Sequence, residues 1–332
     1  MAHAGDSSER PALLLTGASG FVGERLLERY KAGELGLLPP GTHVHAVARR
    51  TPRGWPQPNV DFHRADLVDQ EAVERLVIDL DPAPTWVLHL AGMADPRRAA
   101  RVPRQAKAAN AESTRNLLVA LAGRGLPTRF VLASTAAVYG KQAVDRGEEG
   151  RIAESSRARS RTAYGWSKRI AERFTRIFAA PGNAAHIEAM IARPYNHCGP
   201  GQGPGYVVPD LLAAIRASQA SGQPVRTGSL WPERDFLHVD DVIDAYLLLL
   251  AEGEAGRTYD IARGEAWPVQ RIFDGLVERL GSIPGQEVDA AKQRAGEVPR
   301  IVGDASSLRG LGWAPQHGLE RILNDAVGID ES

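Results

Sequence analysis

The stretch Thr16-Gly-Ala-Ser-Gly-Phe-Val-Gly23 constrains the fold of this chain more than any other. It follows an apolar run at 12–15 and precedes an amphipathic segment at 21–30, so it falls where a strand turns into a helix. Gly17 permits a tight turn, Gly20 lets the backbone approach a pyrophosphate, and Gly23 allows the helix to pack closely on the strand. Ser19, Phe21 and Val22 complete the turn and the helix start, where unpaired N–H groups suit an anion. The spacing is Gly-x-x-Gly-x-x-Gly, a variant of the Gly-x-Gly-x-x-Gly fingerprint.

Apolar runs and helical stretches alternate through the first part of the chain, with strands expected at 12–16, 43–48, 60–63, 86–90, 130–133 and 186–192. That alternation predicts an α/β fold: a Rossmann-type, doubly wound parallel sheet with helices on both faces. Beyond residue 195 the pattern loosens into shorter elements rich in Pro and Gly, and the 31–42 connection is longer than usual without a functional reading. With 332 residues, 43% of them hydrophobic, the chain can bury a sizeable core. Forty basic and forty acidic residues cancel, which argues against nucleic acid or an anionic membrane as partner. The one cysteine, Cys198, rules out an internal disulfide and fits a reducing, cytoplasmic setting, where a packed thiol is expected. Residues 1–10 are polar and lack an apolar centre, so they read as a disordered tail and not as a signal peptide or a span.

Chemistry enters with Tyr164-Gly-Trp-Ser-Lys168, which on a helix sets a phenol and an ammonium one turn apart on one face. A phenol titrates near ~10, and a neighbouring cation favours the phenolate, so the pair is expected to move a proton. Such a spacing is common on solvated helices; it gains weight from the glycine turn and from Leu132-Ala-Ser-Thr135-Ala-Ala-Val-Tyr-Gly140. At the end of the second strand the chain reads Val47-Ala-Arg49-Arg50-Thr51. No carboxylate is present to accept from a ribose diol, whereas Arg49 and Arg50 suit a phosphate dianion, so NADP(H) is favoured over NAD(H).

Taken together these motifs resemble the extended short-chain dehydrogenase/reductase family, the nucleotide-sugar epimerases, dehydratases and reductases. Leu88-His-Leu-Ala-Gly92, the helical segment 110–116, Arg193-Pro-Tyr-Asn-His-Cys-Gly-Pro-Gly-Gln202, Arg234-Asp-Phe-Leu-His-Val-Asp-Asp241 and Glu297-Val-Pro-Arg-Ile-Val-Gly-Asp304 extend the likeness over almost the whole chain. The resemblance implies a catalytic set of Thr135, Tyr164 and Lys168, with Lys168 also holding the nicotinamide ribose. It assigns Leu90, Ala91 and Gly92 to the cofactor turn and Asp66 with Leu67 to the adenine. It places substrate contacts at Asn196, Val207, Arg234, Arg294 and Glu297, the two arginines on a diphosphate, and implies no metal. An NADP-binding domain of 11–195 plus about 237–262, a smaller C-terminal α/β substrate domain of 196–236 and 263–332, and a homodimer through the helices at 110–122 and 164–178 are further expectations from the same likeness.

In the 4,6-dehydratases of that family the second residue after the catalytic Thr is a Glu, often preceded by Asp; here both positions are alanine, Ala136 and Ala137. A methyl group cannot act as a base, which leaves reduction or epimerisation. The segment 193–210 looks most like the GDP-4-keto-6-deoxy-mannose reductases and their dehydratase relatives, and the expected activity is NADPH-dependent reduction of the 4-keto group of such a nucleotide sugar. A 4-epimerase holding NAD tightly is the alternative, and a non-catalytic NADP sensor a further one. Met93-Ala94 and Ser229 depart from the family pattern at positions near the sugar and the base.

Overall fold

The computed structural model describes residues 11–144, 148–180, 182, 186–292 and 297–329. Its centre is a seven-stranded sheet built from β1 (Ala12–Thr16), β2 (His43–Ala48), β3 (Val60–Arg64), β4 (Trp86–His89), β5 (Thr128–Ala133), β6 (Ile187–Pro194) and a last strand, Thr258–Ile261. From one edge the order is Thr258–Ile261, β6, β5, β4, β1, β2, β3, and every pairing is parallel. Strand order reverses between β1 and β4, the place where doubly wound sheets open a crevice at their carboxyl ends.

β1 shows why the sheet forms. All five of its residues are buried, as a strand covered on both faces requires, and alternate side chains enter different cores. Leu13 and Leu15 join the cluster containing Leu26, Leu27, Val242, Ile243 and Tyr246, beneath the helices Phe21–Ala32 and Val239–Glu252. Leu14 joins Val73, Val77, Leu117, Leu118 and Ala171 on the other side, beneath the helices Gln70–Asp79, Ser113–Arg124 and Ala163–Phe178. A third core gathers Val208, Ile215, Phe236, Ile272, Leu276 and Ile322 from the C-terminal part of the chain. The short strand Phe236–His238 belongs to two cores at once, because Phe236 packs in the third and Leu237 in the first.

The six strands expected from the apolar runs are present, with ends differing by no more than two residues. Thr258–Ile261 was not among them: it is four residues long and carries a buried Asp260, so no apolar run announces it. The 31–42 connection is packed, with Leu35 and Leu38 in the first core and the Tyr30 hydroxyl donating to the Thr42 carbonyl at 2.5 Å. Residues 1–10 lie outside the described residues. No helix among the described residues is long and apolar enough to cross a membrane.

Candidate active site

The glycine turn closes on the switch point. Gly17 has φ +76°, and a Cβ there would stand 2.7 Å from the Ala91 nitrogen, so the left-handed turn and the approach of the 90–92 segment both demand glycine. A Cβ on Gly23 would meet the Gly17 carbonyl oxygen at 2.5 Å. Gly20 begins the helix Phe21–Ala32 with no side chain capping it, which leaves the first-turn N–H groups open beside Ser19, Phe21 and Val22. Thr16 and His89 tie the two strands, with Thr16 Oγ1 2.7 Å from His89 Nδ1 and His89 Nε2 3.0 Å from Thr114 Oγ1. Burial, and secondarily Lys168, holds the His89 ring neutral by lowering its pKa to about 3.

Arg49 and Arg50 are exposed directly after β2. Asp66 is exposed and accepts from the Val68 N–H at 3.1 Å, while Leu67 is buried with its carbonyl accepting from Asn116 at 3.2 Å. Leu90, Ala91 and Gly92 continue β4 toward the helix Ala163–Phe178: a Cβ on Gly92 would lie 3.4 Å from Lys168 Nζ and would collide with the Asn110 side-chain oxygen.

Thr162 caps the helix Ala163–Phe178 by accepting from the Gly165 N–H, and this fixes where Tyr164 and Lys168 begin. Both side chains are buried on its inner face. The Lys168 ammonium donates to the Ala133 carbonyl at the end of β5 at 2.8 Å, so it is anchored one residue from Ser134 and two from Thr135. Burial lowers its pKa to about 8, with Glu172 one turn on acting to raise it.

For Tyr164 the sequence expectation needs correction. A lysine-lowered phenol is not what the fold produces: burial pushes Tyr164 up to about 12, a hydrogen bond from Thr135 acts in the opposite direction, and Lys168 is not among the groups that set it. Desolvation by burial is the largest of the causes acting on the phenol. Tyr164 is therefore a protonated acid with Thr135 on its oxygen, suited to giving a proton.

Several supporting groups escape sequence reasoning. Asn110 lies in a π-helical turn, Ala108–Glu112, a form often found where function distorts a helix. It accepts from the Met93 N–H at 2.8 Å and donates to Ser167 Oγ at 2.8 Å, while Ser167 donates to the Tyr164 carbonyl, so one amide links the 92–93 turn to the helix that carries Tyr164 and Lys168. Glu172 is fully buried and accepts from Ser134 at 2.7 Å and from Arg193 through two bonds of 2.8 and 2.7 Å. Arg193 stacks over Tyr139, 4.7 Å from the ring centre, and Tyr139 donates to Asp260 at 2.7 Å. Tyr139 is thus a fully buried packing residue. The signal for these groups is weak: polar side chains at helix or strand positions that the apolar period marks as internal.

On the C-terminal side, Arg234 and Glu297 come together, Arg234 Nη2 standing 3.7 Å from Glu297 Oε1. Their neighbour Asp235 is buried and accepts from the backbone of Arg263, Gly264 and Gly303, which locks the strand Glu233–Arg234 in place; its burial raises its pKa to about 6. Asn196 is exposed and donates to the Asp235 carbonyl at 3.2 Å, and Val207 is exposed at the start of the helix Val207–Ser221. Arg294 lies outside the described residues. Cys198 is buried and its pKa is raised to about 12 by that burial, an inert packed thiol.

A model of the NAD dependent epimerase/dehydratase family matches residues 13–262. The chain belongs to this family. Among curated relatives it is 33% identical to the GDP-6-deoxy-D-mannose reductase of Pseudomonas aeruginosa, over 94% of this chain and 96% of that protein. It is 28% identical to the dTDP-L-rhamnose 4-epimerase of Burkholderia thailandensis, over 94% and 93% of the two chains. The solved structure of RMD from Pseudomonas aeruginosa complexed with NADPH superposes with a TM-score of 0.76 at 28% identity, covering 96% of this chain and 98% of that one. The family likeness makes this chain a nucleotide-sugar enzyme of the oxidoreductase type.

Proposed function

We propose that the protein uses NADPH to reduce the 4-keto group of a nucleotide-linked 4-keto-6-deoxyhexose, with GDP-4-keto-6-deoxy-D-mannose as substrate. One observation carries the reading: Thr135 and the protonated Tyr164 meet beside a turn in which Ala136 and Ala137 stand where a dehydratase would need its carboxyl groups. The 33% identity to a GDP-6-deoxy-D-mannose reductase supports the same substrate class.

The cofactor would be held by the Gly17, Gly20 and Gly23 turn, by Asp66 and Leu67, by Leu90, Ala91 and Gly92, and by Lys168, with Arg49 and Arg50 free on the surface for the extra phosphate of NADP. When bound, its nicotinamide supplies the hydride that adds to the keto carbon. Tyr164, kept protonated by burial, donates its proton to the keto oxygen, and the Thr135 hydroxyl hydrogen-bonds that same oxygen. Lys168 sits below them, its position set by Ala133. Arg234, with Arg294, would bind the diphosphate, and Glu297, Asn196 and Val207 would meet the sugar or the nucleoside. We also assign 11–195 with about 237–262 to cofactor binding and the remainder to substrate. A homodimer through the helical segments 110–122 and 164–178 is supported by Trp166 and Ile177, which are 44% and 51% exposed on the second of them, and a cytoplasmic setting is the remaining part of the proposal.

NADPH oxidation with GDP-4-keto-6-deoxy-D-mannose, run beside the UDP- and dTDP-linked 4-keto sugars, tests this. Rapid oxidation with the GDP sugar alone is the expected result. No oxidation with any of them, together with NAD retained through purification, would instead make the protein a 4-epimerase, the activity of its 28% identical relative.

A further inference from the structure

Three of the chain's nine histidines meet at the far edge of the sheet, away from the glycine turn. His43 and His45 are two apart on β2, Asp61 and His63 two apart on β3, and the parallel register places His45 opposite Asp61 and Val47 opposite His63. All four side chains therefore share one face of the last two strands. Asp61 and His43 reach the surface, whereas His45 is only 1% exposed.

Two pairs of ligand atoms are in contact, and His45 belongs to one pair and to the cluster that holds the other. His43 Nε2 stands 3.0 Å from Asp61 Oδ2, and His45 Nδ1 stands 3.1 Å from His63 Nε2. A tetrahedron with metal–ligand bonds of ~2.0–2.1 Å has an edge of roughly 3.3 Å, so each pair already spans about one edge. His43, His45 and Asp61 each offer an atom within 4.8 Å of the others'. The orientation of the buried ring is settled separately: His45 Nε2 is 2.9 Å from the Pro82 carbonyl, so it carries the proton and Nδ1 turns its lone pair toward His63 Nε2. A ring N–H held by a backbone carbonyl is the usual outer support of a metal-binding histidine.

We propose that His43, His45, His63 and Asp61 form a zinc site that clips β2 to the edge strand β3. Three imidazole nitrogens and one carboxylate oxygen suit Zn²⁺ over Mg²⁺ or Ca²⁺, and four protein ligands leave no open position, which makes the site structural and not catalytic. The metal holds together the strand that delivers Arg49 and Arg50 and the strand that delivers Asp66.

Untagged protein, stripped with a chelator and dialysed separately against Zn²⁺ and Mg²⁺, tests the site by metal content and thermal unfolding. The expected result is one equivalent of zinc and none of magnesium, with a Tm that rises as zinc is added. His43→Ala and Asp61→Asn, both at the surface, should each weaken zinc binding by at least ~10–100-fold and abolish the rise while leaving the metal-free Tm unchanged. His317→Ala removes a member of the other described cluster, His238, Asp240 and His317, and should leave zinc retention intact. No zinc on the wild type, equal zinc on His43→Ala and Asp61→Asn, or loss of zinc with His317→Ala would each overturn the proposal.

Discussion

The glycine turn after β1 and the segment carrying Arg234 rest on different physics. Around Gly17 the backbone itself makes the shape: a positive φ and an approach too close for any Cβ leave the first helical N–H groups open and in place. Around Arg234 the shape comes from charges that satisfy one another, Arg234 with Glu297 at 3.7 Å and Arg300 with Glu233 at 3.4 Å. The first region is complete before a ligand arrives. In the second a ligand must compete for groups that already have partners, so under the proposed function selectivity among sugars and bases would belong there.

The sharpest break between the regions is Tyr164→Phe, which should lower NADPH oxidation by ~10²–10⁴-fold without weakening NADPH binding, as checked by steady-state rates and fluorescence titration. A comparison of buried and available carboxylates comes next. Glu172→Ala strips the buried Arg193 of its partner and should cost ~3–5 kcal/mol in denaturant unfolding. Glu297→Ala, which only releases Arg234 for a ligand, should cost less than ~1 kcal/mol and act on KM for the sugar. Should Glu297→Ala prove as destabilising as Glu172→Ala, the Arg234 region is a rigid scaffold and the contrast fails.

Smaller effects refine the cofactor side. Arg49→Ala with Arg50→Ala removes charge-assisted bonds worth ~1.5–3 kcal/mol and should raise KM for NADPH by ~10–100-fold while leaving NADH use unchanged. The mildest effect is on pH. Lys168, lowered to about 8 by burial, loses its charge as pH rises past that value, so kcat/KM should fall above about pH 8. Tyr164, raised to about 12, stays protonated throughout and adds no second loss. Because Glu172 raises the Lys168 pKa, Glu172→Gln should move the break to lower pH.

What was legible in the residues is what local rules govern. Gly17, Gly20 and Gly23 follow from sterics within one turn, six strands from apolar runs, and Tyr164 with Lys168 from the pitch of a single helix. Groups that act across the fold were not legible. Asn110 works on Met93 and Ser167, 17 and 57 residues away, and Tyr139 on Asp260, 121 residues away. The strand Thr258–Ile261 hides for a related reason, since its buried Asp260 is tolerated only because Tyr139 and Tyr195 arrive from elsewhere to bond it.

Sequence alone, then, determined six strands of the sheet, the glycine turn and the placing of Tyr164 and Lys168 on one helix face, because backbone sterics and helical period operate over a few neighbours. Tertiary structure alone decided that Tyr164 is held as an acid, that Arg234 waits in the company of Glu297, and that three histidines and an aspartate converge on one edge. Burial and pairing are properties of the space around a side chain, and that space is filled by residues distant in the chain.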